Sequence, residues 1–493
     1  LDMVTTTLKA MALGGMRDHL GGGFHRYSVD ADWRVPHFEK MLYDQAQLAM
    51  AYAEASQATG DAWYLEVAFE TLDYVSRDLT DSAGGFYSAE DADSIPPEQA
   101  GDPEAHPSEG AFYIWRDAEI QEVLGAEADV FRHRFGIRGS GNAPFDPQGE
   151  FTGRNLLYVA RDFPAVAAET SRSPAEVERV LERARVALFE RRATRPRPHL
   201  DDKVLTAWNG LTIAAFARAA RLLQASSEAG AVERCRRYLE TAARAAQFIR
   251  RQMWDAGSGT LRRRYRNGSA GVDGYAEDYA YLVFGLLELF QASGDPQWLE
   301  WSIELQRRQD VLFGDPDEGG WFSTTGQDRS VLLRLKDDHD GAEPAASSVG
   351  ALNLLVLTHL LGATERDVES IDRSLSMVAP HAAQSVRAMP MMLAALSSYH
   401  AGVSQLVVVG DATGEGTRPL LREACGPYLP ATVFVPVVET HRAVLERLLP
   451  WAASMGRRDG KATAFVCRRF ACQAPVSSAE ALRVQLHELR GTY

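Results

Sequence analysis

The chain has 493 residues, 45% hydrophobic and 24% charged, which is enough apolar material for a sizeable core. Lys and Arg number 52 against 67 Asp and Glu, giving a formal net charge of −15 and a pI near 5.4. Phosphate recognition needs clustered cations, so nucleic acid is excluded as a partner; the basic stretches Arg183 to Arg197 and Arg262-Arg263-Arg264 read as solvated faces. No apolar run approaches the ~20 residues of a membrane span. Four cysteines, Cys235, Cys425, Cys467 and Cys472, are too few for a disulfide scaffold and fit a reducing, cytoplasmic setting. Cys467 and Cys472, in CRRFAC, have no metal-ligand spacing around them and are expected to be buried free thiols. The chain starts at Leu1 with neither an initiator Met nor a signal-like segment and reads as a fragment.

Helical periodicity dominates as far as about residue 400. Amphipathic segments cover Val4–Leu20, Phe38–Ala58, Ala62–Leu79, Ala175–Arg191, Ala207–Leu223, Val232–Met253, Ala276–Gln291, Pro296–Leu312, Val349–Leu361 and Arg366–Arg387. Thr59-Gly60-Asp61 and Ser293-Gly294-Asp295 each place Gly where a helix ends left-handed and Asp where the next needs an N-cap. The longer connections rhyme: GGGFHRYS from Gly21, AGGFYSAED from Ala83, EGGWFSTTG from Glu318 and, more weakly, GTLRRRY from Gly259. A period of about 60 residues, each unit holding two helices and a glycine-aromatic hairpin, is the signature of a helical repeat. Such pairs bury their apolar faces by stacking, and ring closure removes the exposed ends, so an (α/α) barrel is expected over residues 1–403. Loops leading into its inner helices would meet at one rim, where binding groups concentrate. Phe24, Phe86 and Trp321 would either line that cavity or plug its end. After Ser404 the pattern changes to β-branched runs at 404–411, 432–438 and 463–469, with helices at Gly416–Ala424 and Ala479–Leu489, which predicts a small α/β region over 404–493. The GD after Val409 is followed by neither GxGxxG nor GxxxxGK(S/T) and is a weak signal for phosphate binding.

Polar clusters recur where loops meet helices: HFEKMLYD (37–44), SAEDADS (88–94), SEGAFYIW (108–115), HLDDKVLTAWNG (199–210), DGYAEDYAY (273–281) and KDDHDGAEP (336–344). Asp93, Asp102 and Asp295 fit helix capping. Glu39, Asp44, Glu277 and Asp278 lie beside aromatics, and carboxylates next to Trp or Tyr suit sugars, whose C–H faces take rings while hydroxyls donate to acids. Glycoside cleavage needs two carboxyl groups, one protonated and one ionised. Epimerisation needs a base near neutral pKa, usually His. Carboxylates at Asp201, Asp202, Glu277, Asp278, Asp340 and Glu343 and imidazoles at His25, His37, His199 and His339 serve either scheme. No GxSxG or HExxH occurs.

Taken together, GGGFHRYSVDADWRVPHFEKMLYDQAQL, YSAEDADS, EGAFYIW, GNAPFDPQGEFTGRNLL, RPHLDDKVLTAWNGL, GYAEDYAYL, DGAEPAASSV and CRRFACQAPV resemble the YyaL/spermatogenesis-associated family of thioredoxin-domain-containing proteins over nearly the whole chain. The resemblance implies an N-terminal thioredoxin-like domain, which this chain lacks, followed by a mainly α (α/α)6 toroid of the six-hairpin glycosidase and N-acylglucosamine 2-epimerase type. It also implies a carbohydrate-like small-molecule ligand. Asp201, Asp202, Glu277 and Asp278 are the expected acid/base groups, with His37 and Glu39 second. His25, Arg26, Tyr27, Asp91, Glu109, Trp208, Asn209, Tyr275, Asp340 and Glu343 are expected to bind the substrate, with no metal and no cofactor. The rival expectation is a non-catalytic recognition module serving the thioredoxin-like part, whose carboxylates would be locked in salt bridges. A redox enzyme using Cys467 and Cys472 is a third.

Overall fold

The computed structural model of the chain describes all residues except 145, 147, 148, 150, 328, 329, 338, 363, 378–385, 412, 413, 470 and 491–493. Two compact units arise: Leu1–Tyr52 with Glu66–Thr80 and Tyr87–Asp202, and Ala53–Leu65 with Asp81–Phe86 and Lys203–Tyr493. The fold class is the expected one, mainly α of the six-hairpin (α/α)6 type with a small C-terminal α/β part.

The first unit starts with α1 (Asp2–Leu13), β1 (Tyr27–Ser28), β2 (Pro36–His37) and β3 (Lys40–Met41), then contains the opening turns of α2 (Leu42–Thr59) and most of α3 (Ala62–Asp78). It continues through β4 (Ala89–Glu90), β5 (Asp93–Ser94), β6 (Ser108–Glu109), α4 (Asp117–Leu124), α5 (Ala128–Phe135), α6 (Phe163–Thr170), α7 (Pro174–Arg192) and β7 (Leu200–Asp201). Two helices differ from expectation. The first stops at Leu13 rather than Leu20, because the chain turns at Gly14-Gly15 against the segment at Trp33 and Arg34: a Cβ on Gly15 would lie 2.0 Å from the Arg34 carbonyl oxygen. Residues 38–41 are not helix: Lys40–Met41 is β3, which pairs with β4, which in turn pairs with β7, and β2 just before it pairs with β1. Helix α2 therefore opens at Leu42.

The second unit begins with β8 (Val204–Leu205) and the hairpin of α8 (Thr206–Ala225) with α9 (Ala231–Gln252). The strands β9 (Trp254–Asp255), β10 (Thr260–Arg266) and β11 (Ser269–Asp273) lead to α10 (Ala276–Ser293) with α11 (Pro296–Phe313), then α12 (Ala346–Leu361) with α13 (Glu365–Ser376), and α14 (Pro390–Ala401). The rest of the expected 366–387 helix falls partly on 378–385, outside the described residues. First members of successive hairpins pack side by side, α8 on α10 and α10 on α12. Helix α10 is buried from Asp278 to Ala292, as an inner helix must be, whereas α9 buries one stripe and exposes the opposite face. Helices α8 and α10 touch backbone to backbone: a Cβ on Gly285 would lie 2.3 Å from the Gly210 carbonyl oxygen. Turns follow the predicted chemistry, with Gly60 and Gly294 at φ 74° and 69° and Asp295 accepting from Gln297 N at 3.1 Å.

The rhyming loops share one device. In each, the residue after the glycines is tied through its backbone to a side chain on the helix that follows or neighbours it. Gln45 of α2 accepts from Phe24 N at 2.7 Å and donates to Phe24 O at 2.7 Å. Asn209 of α8 does the same for Phe86, at 2.8 and 3.0 Å. Tyr279 Oη of α10 accepts from Leu261 N at 2.9 Å, and Ser347 Oγ of α12 takes Trp321 N at 3.2 Å. Phe24, Phe86 and Trp321 are core residues, 0%, 0% and 3% exposed.

In the C-terminal part, β12 (Ser404–Val409) runs parallel to β13 (Thr432–Val437) and antiparallel to β14 (Thr463–Arg468), which turns back into β15 (Ala471–Cys472). One face carries α15 (Arg418–Cys425) and α17 (Ala479–Arg490) through Leu406, Phe434, Val466, Leu420, Leu482 and Leu486; α16 (Arg442–Leu448) precedes β14. The expectation of free thiols is corrected here. Cys467 and Cys472 are cross-strand partners in the β14–β15 hairpin and form a disulfide, with Cys467 buried and Cys472 exposed.

Candidate functional site

Most of the expected site residues of the second unit converge where β10 meets the start of α10. Tyr275 caps α10: its N–H donates to Asp278 Oδ2 at 2.9 Å, so Asp278 closes the first helical turn. Ala207 N, at the start of α8, donates to Asp278 Oδ1 at 3.1 Å. Arg263 Nη1 reaches Glu277 Oε1 at 2.7 Å and Asp278 Oδ2 at 3.0 Å while its guanidinium lies 4.7 Å from the Tyr275 ring centre. Burial pushes the Asp278 carboxyl up to about 7, helped by the charge of Glu277 and opposed by Arg263 and the two backbone N–H donors. Beside this group Trp208 Nε1 donates to Glu343 Oε2 at 2.8 Å. Burial also raises Glu343, with Glu277 adding to it and the Trp208 hydrogen bond and Arg263 working against it. The Tyr281 hydroxyl, tied to Pro344 O, is raised by burial and by the charges of Glu343, Glu277, Asp337 and Asp340. Glu277, Glu343, Trp208 and Arg263 are half-buried and Tyr275 is exposed, so two carboxyl groups, a guanidinium and two rings share one partly open surface, with the Asp278 carboxyl buried beneath it.

Two expected ligand-binding residues of this unit have other work. Asn209 is fully buried and holds Phe86 and the Leu205 carbonyl, leaving no group for a substrate. Asp340 accepts from Ala345 N and Met391 N, both at 2.8 Å, and so ties the loop before α12 to the start of α14.

In the first unit, the β1–β2 and β5–β6 pairings build a second polar group. Tyr27 stacks on His37 at 4.9 Å. His37 Nδ1 lies 2.7 Å from Glu109 Oε1, and its Nε2 is 3.6 Å from Glu39 Oε2, which accepts from Arg26 at 2.9 Å. Asp91 makes a turn, accepting from Asp93 N at 3.2 Å. Asp93 is raised by burial and by the charges of Asp91 and Glu109. Asp201 is in β7, its carbonyl accepting from Ser88 N, and Asp202 ends this unit. His25 corrects the expectation of a ligand contact: it is 2% exposed, its Nδ1 lies 2.9 Å from Phe38 O, and Phe38 and Tyr113 flank its ring. Burial and the Lys40 charge press it down to about 3, so it stays neutral. Among the described residues no group of three or more His, Cys, Asp or Glu is placed to hold a metal ion, and no helix is long and apolar enough to cross a membrane.

Sequence reasoning missed Arg263, which it left among solvated arginines. The signal lies in strand periodicity: Arg263 is two residues from the fully buried Leu261, hence on the inward face of β10.

These features define a mainly α protein of six-hairpin type that carries a half-buried carboxyl cluster at the start of one inner helix. The chain is 40% identical over 509 residues to human spermatogenesis-associated protein 20, an alignment covering 98% of this chain and 62% of that protein. It is 32% identical over 514 residues to an uncharacterised protein of Caenorhabditis elegans, covering 97% and 65%. The chain thus spans less than two thirds of the length of these relatives. It matches no protein-family model. Among solved structures it is similar to the cellobiose 2-epimerase of Bacillus thermoamylovorans, with a TM-score of 0.44 at 10% identity over 77% of this chain and 73% of that one. It is also similar to a D-mannose isomerase, with a TM-score of 0.35 at 12% identity over 77% and 86%.

Proposed function

We propose that the second unit binds a carbohydrate-like small molecule at the Glu277–Asp278–Glu343 cluster and performs acid/base chemistry on it. The observation that carries this reading is the joining of two half-buried carboxyl groups, Glu277 and Glu343, with a third, Asp278, buried behind them, in environments set apart. Asp278 is buried and shifted to about 7, Glu343 is hydrogen-bonded to an indole and raised, and Glu277 is ion-paired with Arg263. Carboxyl groups whose environments pull their protonation apart divide into donor and acceptor. Glu343 is the proton donor in this scheme and Glu277 the acceptor. Asp278 and Arg263 hold Glu277 in place, and the faces of Trp208 and Tyr275 take the apolar side of a sugar ring. Cellobiose and D-mannose, which the names of the two solved enzymes point to, are the first probes. The test is turnover and thermal shift of the wild type, Glu277→Gln and Glu343→Gln against a panel of mono- and disaccharides. The expected result is a sugar that raises the wild-type Tm and whose turnover falls at least ~100-fold in either variant. Binding and turnover that survive both substitutions contradict the assignment.

A second reading is favoured by Arg263, which engages both neighbouring carboxylates, and by the greater length of the relatives. In it the barrel is a recognition module of a longer protein that includes the thioredoxin-like domain implied by the sequence motifs. It predicts sugar binding without turnover, or neither.

A further inference from the structure

The first unit holds a partly open cavity, lined by charged side chains and by the rings of Tyr74, Phe112, Tyr113 and Phe189, that the proposed chemistry does not use. Asp18, Lys40, Glu90, Tyr113 and Arg192, each no more than 6% exposed, form its inner wall. Asp78 joins them, and Arg77 and Arg197, with side chains 40% and 50% exposed, supply the outer part. The space left among them gives about 30 Å³ to the centres of water-sized groups, more than one water needs.

Hydrogen-bonding capacity here is lopsided. Every carboxylate oxygen on the wall already has a donor. Asp18 takes both Arg192 Nη atoms at 2.8 Å and Lys40 Nζ at 2.9 Å. Glu90 takes Tyr74 Oη at 2.7 Å and Arg197 at 2.6 Å, and Asp78 takes Arg197 and Arg77. What is left over are donors. The Tyr113 hydroxyl and Arg192 Nε are buried with no protein partner. Lys40 has three N–H groups and two acceptors, Asp18 and Gly22 O, with its charge over the rings of Tyr74 and Tyr113 at 4.2 and 5.0 Å. Counted over the lining, four cations, Lys40, Arg77, Arg192 and Arg197, face three carboxylates, Asp18, Asp78 and Glu90, and the excess is carried by Arg77 and Arg197, which reach solvent. Buried donors without acceptors are costly, and one acceptor-only, negatively charged guest relieves them. The glycine-rich opening motif builds the wall, since a Cβ on Gly21 would lie 2.4 Å from Arg192 Nη2 and 2.9 Å from Asp18 Oδ2.

We propose that this cavity is a binding site for one small monovalent anion of the halide class, held by Tyr113, Arg192 and Lys40. The whole chain is melted in sodium gluconate, chloride and bromide at one fixed ionic strength, and bromide is then titrated against gluconate. Halide is expected to raise Tm saturably by roughly 3 °C or more over gluconate. Tyr113→Phe, which keeps the ring and removes the hydroxyl, is expected to move the midpoint of the bromide titration upward by about threefold or more. Equal melting in the three salts overturns the proposal, as does a Tyr113→Phe titration that matches the wild type. Should that variant not fold, a bromide-soaked crystal of the wild type decides. An anomalous peak beside the Tyr113 hydroxyl supports the site, and water alone there refutes it.

Discussion

Burial pushes the Asp278 carboxyl up to about 7, while an unfolded aspartate ionises near 3.8, so the folded chain binds a proton here that the unfolded chain releases earlier. A carboxyl with a raised folded pKa contributes stability that is whole below about pH 4 and drains away as pH rises to about 7. The full swing is on the order of 4 kcal/mol at 1.36 kcal/mol per pH unit. Asp278→Asn lacks this dependence, so its stability relative to wild type is expected to improve steadily from pH 4 to 7 and to level off above. Denaturant melts at stepped pH check this, and a difference independent of pH contradicts it. Asn209 is a residue of the opposite kind, with its amide wholly absorbed by Phe86 and Leu205. Asn209→Ala leaves buried backbone groups unpaired and is expected to cost roughly 2–4 kcal/mol in a denaturant melt. At this scale the sequence offers Glu277, Asp278 and Tyr275 through an acid-aromatic neighbourhood and Trp208 and Glu343 through polar clusters where loops meet helices, and the structure sets the five close together. It misjudged Asn209, His25 and Asp340, because an amide, an imidazole or a carboxylate that serves the backbone looks the same in sequence as one that meets a ligand. Only the partner distinguishes them, and the partner lies far away in the chain.

Helices α8 and α10 approach closely enough that Gly285 faces the backbone of Gly210, and Gly210 that of Tyr281 and Leu282. Gly285→Ala is expected to push the pair apart and cost about 2–3 kcal/mol by overpacking, read as a lowered denaturation midpoint with an unchanged slope. A substitution within ~0.5 kcal/mol of wild type contradicts that contact. The Cys467–Cys472 hairpin makes a separate prediction: with the chain denatured, these two residues resist alkylation until a reductant is added, whereas Cys235 and Cys425 label without one. Elements were read most surely where periodicity ran long. Helices α8 to α11 begin and end within about two residues of the reading, because caps such as Asp295 and glycine stops such as Gly294 mark them. Short pieces escaped. Strand β3 lies where periodicity suggests the first turn of a helix, since a two-residue strand has no period of its own and is fixed by the partners it finds. Helices α4, α5 and α6, of eight residues each, were absent from the reading for the same reason. The repeat of glycine-aromatic loops was visible, but the side-chain clamp that gives it meaning was not, because Gln45, Asn209, Tyr279 and Ser347 are four different residue types performing one task.

In the Lys203–Tyr493 part, paired helices place their first members against one another, and polar groups gather where loops enter them. Within the second unit this brings Arg263 from a strand, Glu277 and Asp278 from a helix start and Glu343 from a loop to one place, although they span some eighty residues of chain. The central claim is that this gathering is a ligand site rather than a clasp. Calorimetric titration of the wild type and of Glu343→Gln with the sugar panel tests it most directly. The account predicts saturable heat for at least one sugar in the wild type and a weakening of about tenfold or more in the variant, the order of one lost charged hydrogen bond. No sugar binding to the wild type, or equal affinity for both proteins, contradicts it.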